Sequence, residues 1–196
     1  MTQEGRRWWP EPFYLFGTAV IIDLFTREIL FTRSKDREEW IPGAGGEVII
    51  PADTSKPVFI GDTALREATE ELTAKLDEQG NELGLEVELF GSNAFYTELR
   101  CGDSSIYKNA HTLYAYFLAN LKNPEDKKSI RSKKQPGEAD CETVDIQWMS
   151  AEVFLADVES GHIKTYPNII RVLNALDWVL KHQTNPFFQP WQRPTV

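Results

Sequence analysis

Apolar positions along this chain fall into two kinds of run. From Phe13 to Leu24 the sequence FYLFGTAVIIDL is dense in β-branched and aromatic residues, the make-up of a strand buried in a sheet. The turn residues TRE and the run EILFTR follow, so the pair reads as two strands joined like a hairpin. EEWIPGAGGEVII breaks into short extended pieces at Pro42 and the small residues after it, and PADTSKPVFIGD reads as an inserted loop. Two long strands are predicted farther on, LEVELFGSNAFYTEL and AHTLYAYFLANL, and TVDIQWM supplies a last one.

The second kind of run has helical spacing. ALREATEELTAKL lies in a helix predicted to start near Asp62 or Thr63, both competent N-caps, and to reach about Glu78 before Gly80 stops it. At about 100° per residue, Leu65, Leu72 and Leu76 fall nearly on one line, the predicted buried stripe. Glu67, Glu70 and Glu71 then gather on the opposite side within one turn. A further helix opens at Ser150, with Val153, Phe154 and Val158 apolar, and NIIRVLNALDWVLKHQ is another amphipathic helix. Between the last two strands, KNPEDKKSIRSKKQPGEAD is charged and aperiodic. Residues 122–140 are therefore expected to be a mobile loop, and 184–196 an extended tail. Strands on both sides of a helix, with helices after the last strand, predict one mixed α/β domain over 1–196 with a mixed or largely antiparallel sheet.

Composition narrows the function. The chain has 196 residues, 41% of them hydrophobic and 12% aromatic, enough for a buried core. No apolar run approaches the roughly 18 residues of a membrane span. The N-terminal segment, with two arginines and no continuous apolar core, does not read as a signal peptide. Cys101 and Cys141 match no metal-site spacing and are expected as reduced thiols in a cytoplasmic protein. The formal charge of −9 argues against nucleic acid as the partner. It leaves room for a small phosphorylated substrate carried by a divalent cation on an acidic site.

The glutamates of REATEE offer such a site. Like charges three and four residues apart repel on a helix, and a cation bound among them reverses that sign. Mg²⁺ takes oxygen ligands, and a carboxylate left over can accept a proton from an attacking water. Arg66, four residues before Glu70, can orient a carboxylate. About twenty residues upstream, the glycine turn of WIPGAGGE lets backbone approach a phosphate or ion closely and can present a carbonyl as a ligand.

Together these segments resemble the Nudix hydrolase family, whose signature is Gly-x5-Glu-x7-Arg-Glu-aliphatic-x-Glu-Glu-x-Gly-aliphatic. Arg66, Glu67, Glu70 and Glu71 match its second half, and Pro42, Gly43, Ala44 and Glu47 match the common lead-in. The resemblance implies an α/β/α sandwich around a mixed sheet with a loop–helix–loop catalytic motif. It also implies Mg²⁺- or Mn²⁺-dependent cleavage of a diphosphate linkage in a small molecule, with no nucleic-acid or membrane partner and a homodimer allowed. Carried over by residue, it makes Glu67, Glu70, Glu71 and the backbone of Ala44 metal ligands. Glu70, Arg66 and Glu47 become catalytic, and Gly43 and Gly45 of the glycine turn substrate contacts; Lys35 and Arg37, which precede that turn, are placed by position to touch substrate phosphate. The departures lie upstream and at the helix end. At strict spacing the first Gly and Glu fall on Ala52 and Val58, and the later aliphatic, Gly and aliphatic positions on Ala68, Thr73 and Ala74. Glu47 and Asp62 compete for the upstream acid, Glu47 being in register with the glycine turn.

A binding module that has lost catalysis is the rival reading, supported by that broken spacing. Glu138 and Glu142 could add a base or ligand, and Lys127 to Lys134 could grip a polyphosphate. Ordinary loop acids and a solvated charged loop are the commoner explanations of both.

Overall fold

A computed structural model describes residues 13–48, 59–91, 93–101, 110–133 and 142–182. Its frame is an eight-stranded sheet. The central pair, β1 (Phe13–Asp23) and β9 (His111–Leu121), runs parallel in register from Phe13↔His111 to Ile21↔Ala119. The other strands join antiparallel. These are β2 (Glu28–Ser34), β3 (Trp40–Pro42), β4 (Ala44–Glu47), β7 (Val87–Leu89), β8 (Tyr96–Cys101) and β11 (Thr143–Ser150). A small second sheet holds β5 (Leu72–Leu76), β6 (Glu82–Gly84) and β10 (Arg131–Ser132).

Alternation along β1 builds two cores. Ala19 and Ile21 meet Ala64 and Ala68 of helix α1 (Ile60–Glu71), together with Phe117 of β9. Val20 and Ile22 face the opposite way, with Phe154 of α2 (Ala151–Glu159) and Ile169, Val172, Leu173 and Leu176 of α3 (Pro167–Lys181). A strand with both faces buried explains the unbroken apolar run in the sequence. The result is the expected α/β/α sandwich on a mixed sheet. Ser150 caps α2 as expected, its hydroxyl accepting from Val153 N at 3.2 Å.

Three expectations need correction. Helix α1 begins at Ile60 after Phe59, so Asp62 lies in the first turn rather than at the N-cap. It ends at Glu71, and Leu72–Leu76 continues as a strand. Leu72 is fully buried but extended, and Leu76 is 54% exposed, so the leucine stripe does not exist. The helix instead buries Gly61, Ala64, Ala68 and Glu71. Small residues face β1 because helix and strand approach closely there: a Cβ on Gly17 would lie 2.5 Å from Ile60 O.

The long strand expected from Leu85 to Leu99 is two strands, β7 and β8, laid along the same partner β9. The chain loops out between Phe90, whose N–H bonds Leu118 O, and Phe95, whose N–H bonds Tyr116 O; Gly91 takes a positive φ of 77°. The segment expected as a loop from 122 is ordered in its first part, with a 3₁₀ turn at Pro124–Ser129 and then β10. Asn123 caps that turn, and the Lys127 ammonium lies between Asp23 (2.5 Å) and Glu28 (2.6 Å) above the Trp148 ring. Residues 134–141, Glu138 and Cys141 among them, and the tail 184–196 lie outside the described residues. Among those described, no helix is long and apolar enough to cross a membrane.

Candidate active site

Strand β1 changes partners along its length. It pairs with β4 from Phe16 to Ala19 and with β2 at Ile22 and Asp23. Beside this change lies a cavity of about 550 Å³, lined from β1 by Phe16 and Thr18, from β2 by Thr32 and Ser34, and from β4 by Gly45, Gly46 and Glu47. Helix α1 adds Glu67 and Glu71 to one end, where Thr143 opens β11 and Glu142 precedes it.

The glycines decide how the helix reaches the cavity. A side chain on Gly46 would collide with the Glu67 carboxylate, so the bare backbone is what admits that carboxylate. Gly43, at φ +78°, passes so close to Ala19 O that no Cβ fits. The turn is pinned by Thr32 Oγ1 donating to Gly43 O at 2.6 Å and by Gly43 N donating to Leu30 O at 2.7 Å.

Arg66 organises the acids behind this opening. Its guanidinium bonds Glu67 Oε1, Glu70 Oε2 (2.5 Å) and the backbone oxygen of Glu47 (3.2 Å), tying helix to glycine turn. The Glu67 side chain is 13% exposed, and Glu71 as a whole residue 9%. Burial raises the Glu67 carboxyl above its ordinary value although Arg66 pulls it down. Burial likewise lifts Glu71 to about 8, with the charges of Glu67 and Glu142 adding to the effect. Thr143 Oγ1 donates to Glu71 Oε2 at 3.2 Å. Backbone bonds hold the surroundings: Lys133 N to Glu71 O at 2.8 Å and Lys35 N to Glu142 O at 2.9 Å.

The other end of the cavity is aromatic. Phe16 and Tyr114, opposite each other on the parallel pair, stack at 5.3 Å. Arg100, held by Glu98 at 3.0 Å, lies 5.0 Å over the Tyr114 ring. Tyr116, Tyr166, Asn168, Ile169 and Ile41 complete this part.

This geometry sits on a known architecture. A Nudix-family hydrolase from Clostridium perfringens superposes with TM-score 0.51 at 20% identity, over 86% of this chain and 98% of that one. A Nudix hydrolase from Alicyclobacillus acidocaldarius gives 0.52 at 16%, over 88% and 97%. The Nudix domain of Shewanella oneidensis NrtR, solved with ADP ribose, gives 0.52 at 14%, over 92% and 99%. The fold is Nudix-like. No family model and no curated protein matches the sequence.

On this Nudix fold the residues singled out in the sequence separate. Glu47, Glu67, Glu71, Arg37 and Gly45 line the cavity. Glu70 does not; it turns outward to Arg66 with its side chain 40% exposed. Ala44 is fully buried opposite Ala19, and Gly43, Lys35 and Asp62 also stand outside the lining. The three glutamates therefore do not share a solvent face: Glu67 and Glu71 point inward on the side of Ala64 and Ala68. Among the described residues, no three His, Cys, Asp or Glu side chains are grouped as a ready-made metal site.

Sequence reasoning missed Thr18, Thr32, Arg100, Tyr114, Tyr116, Thr143 and Asn168. A signal existed for several. Thr112, Tyr114 and Tyr116 alternate on one face of an otherwise apolar strand, as do Phe16 and Thr18 beside them. Asn168 stands where the stripe continuing through Val172 and Leu176 calls for an apolar side chain.

Proposed function

We propose that this chain is a divalent-metal-dependent hydrolase of a diphosphate linkage in a small phosphorylated substrate. The observation that carries the reading is the buried Glu67–Glu71 pair facing Glu142 in the cavity. Burying like charges together is costly unless something cationic answers them. Carboxylate oxygens are the donors that hard cations prefer, so this set fits Mg²⁺ or Mn²⁺. Glu67 and Glu71 would hold the metal, with Glu47 and Glu142 lining the same cavity. When bound, such an ion supplies neutralisation of the diphosphate and a more acidic water.

The chain's own groups do the rest. Arg66 fixes Glu67 and Glu70 and fastens the helix to the Glu47 backbone, which keeps the acid cluster in place. Arg37 meets the phosphate from the rim. Water forms a bond to one phosphorus, the bridging P–O bond breaks, and the proton passes to a carboxylate, for which Glu47 is our assignment. Glu70 acts through Arg66 in this scheme. The Nudix domain solved with ADP ribose supports a nucleotide-like substrate by likeness.

A second reading, a binding module without turnover, is favoured by the absence of a ready-made three-ligand cluster among the described residues. Phosphate or phosphate-ester release from a panel of organic diphosphates, with Mg²⁺, with Mn²⁺ and with chelator, separates the two. Metal-dependent release that disappears in Glu67→Gln is expected. Binding of these compounds with no release under any metal condition would favour the module.

A further inference from the structure

Strand β11 meets β2 in a register that breaks once. From Ser150↔Glu28 to Asp145↔Arg33 the two strands advance together, one residue against one. The next pair is Thr143↔Ser34, so β11 takes two steps where β2 takes one. Val144 is the extra residue of a β-bulge and stands out to solvent, 43% exposed. Side-chain facing follows from this count, because opposed residues of an antiparallel pair share a face and successive residues alternate. Leu30, Thr32 and Ser34 take the face of β2 toward α1 and the cavity, with Trp148 and Ile146 opposite the first two. Unbroken alternation would set Val144 opposite Ser34. The bulge sets Thr143 there instead, 3% exposed, with its hydroxyl donating to Glu71 Oε2 at 3.2 Å. A valine in that place has no proton to give the carboxylate. The strand thus interrupts its own ladder and leaves an apolar side chain partly in water, a departure of the kind that gathers beside active sites.

We propose that Thr143 is a positioning residue for the metal-binding acids: the bulge aims its hydroxyl at Glu71, fixing that carboxyl by one oxygen and leaving the other for the cation. This rests on Glu67 and Glu71 holding the metal of the hydrolase proposed above. A group that hydrogen-bonds a metal ligand sets the ligand's orientation, and its loss commonly costs about ten- to a hundredfold in metal affinity. Glu142 is carried on the same bend, its carbonyl accepting from Lys35 N at 2.9 Å. The bulge therefore brings two neighbours in sequence, an acid and a hydroxyl, to the end of the cavity where Glu67 and Glu71 lie. Thr143 acts through Glu71, and it takes no part in the bond that breaks.

Mn²⁺ binding to the full chain, measured by calorimetry and by the paramagnetic resonance signal of the free ion, tests this without turnover. Thr143→Val keeps the shape and removes the donor, and it should weaken Mn²⁺ binding about tenfold. Thr143→Ser keeps the donor and should stay within about threefold of the parent. A residue that only fills space would give the opposite order, valine near the parent and serine the weaker. In turnover, the Mn²⁺ concentration for half-activation should rise in Thr143→Val while substrate KM at saturating metal holds. Where Thr143→Val does not fold, Thr143→Ala set against Thr143→Ser gives the same contrast, differing by one oxygen atom. Equal Mn²⁺ affinity with and without the hydroxyl overturns the proposal. A parent protein that binds no Mn²⁺ would sink the metal-dependent reading and this inference with it. Binding by the parent that Thr143→Val leaves intact would sink this one alone.

Discussion

Helices α1 and α3 pack on opposite faces of the same sheet and are built on opposite principles. Helix α3 buries Ile169, Val172, Leu173, Leu176 and Val179 in a continuous apolar stripe, each large side chain contributing on the order of 1.5–3 kcal/mol by leaving water. Helix α1 buries Gly61, Thr63, Ala64, Ala68 and an acid, Glu71. It gains little from area, and its inward face ends in two carboxyl groups whose desolvation opposes folding. A helix that forgoes apolar burial to place acids inside is shaped by what it must hold, since departures from local consistency gather at functional sites.

The comparison can be broken most directly by exchanging carboxylates. Glu67→Gln with Glu71→Gln should lower diphosphate hydrolysis by about a hundredfold or more, the scale of losing a charge stabiliser at the reacting centre. The metal-free melting temperature should hold or rise. Leu173→Ala in α3 should do the reverse, costing about 2–5 kcal/mol of stability while the folded fraction keeps its kcat/KM. A double glutamine variant with parental activity would end the argument for α1 as the catalytic helix.

A subtler expectation concerns pH in the presence of chelator. The Glu71 carboxyl titrates near 8 in the folded protein, well above its ordinary 4.5. Between those values the folded state holds a proton that the unfolded chain has released, so stability falls as pH rises from about 4.5 through about 8, then levels. Denaturant midpoints measured from pH 5 to pH 9 should show this decline, Glu71→Gln should flatten it, and Mg²⁺ should oppose it at the alkaline end. A midpoint that rises steadily with pH would contradict the burial of this pair.

The smallest effect is expected at Lys127. Its ammonium is engaged by Asp23 and Glu28, away from the cavity lining. Lys127→Met should cost about 1 kcal/mol or less, as for a partly exposed ion pair, and leave KM unchanged. A steep rise in KM for any polyphosphate would return this basic run to the substrate site.

Much of this was legible in the chain. The strand character of β1, β2, β9 and β11, the two C-terminal helices and the clustering of acids near a glycine turn all follow from pattern and spacing. The orientation of α1 does not, because Leu65, Leu72 and Leu76 are more hydrophobic than Ala64 and Ala68 yet do not form the buried face. Where Gly17 and Gly46 draw helix and strands together, only small residues fit, and Ala64 and Ala68 carry the contact. The helix end was also hidden, since LTAKL carries no Gly or Pro; pairing of Leu72–Leu76 with β6 and β10 overrides its helical propensity. Asn168 and Tyr116 meet only in three dimensions, 52 residues apart in sequence.

The parallel pairing of β1 with β9 has a consequence for how the molecule forms. Nine registered pairs join Phe13–Ile21 to His111–Ala119, and none can close before the chain between them has been gathered in. Loop-closure entropy must be met before these contacts return anything, which places the chain among slow folders. During synthesis, β1 leaves the ribosome well ahead of its main partner and has only β2 and β4 to shelter it. An apolar strand waiting in that way is prone to pair with the wrong neighbour. Refolding yield should therefore fall as protein concentration rises, and the β1–β9 seam should be among the last parts of the structure to gain protection from hydrogen exchange.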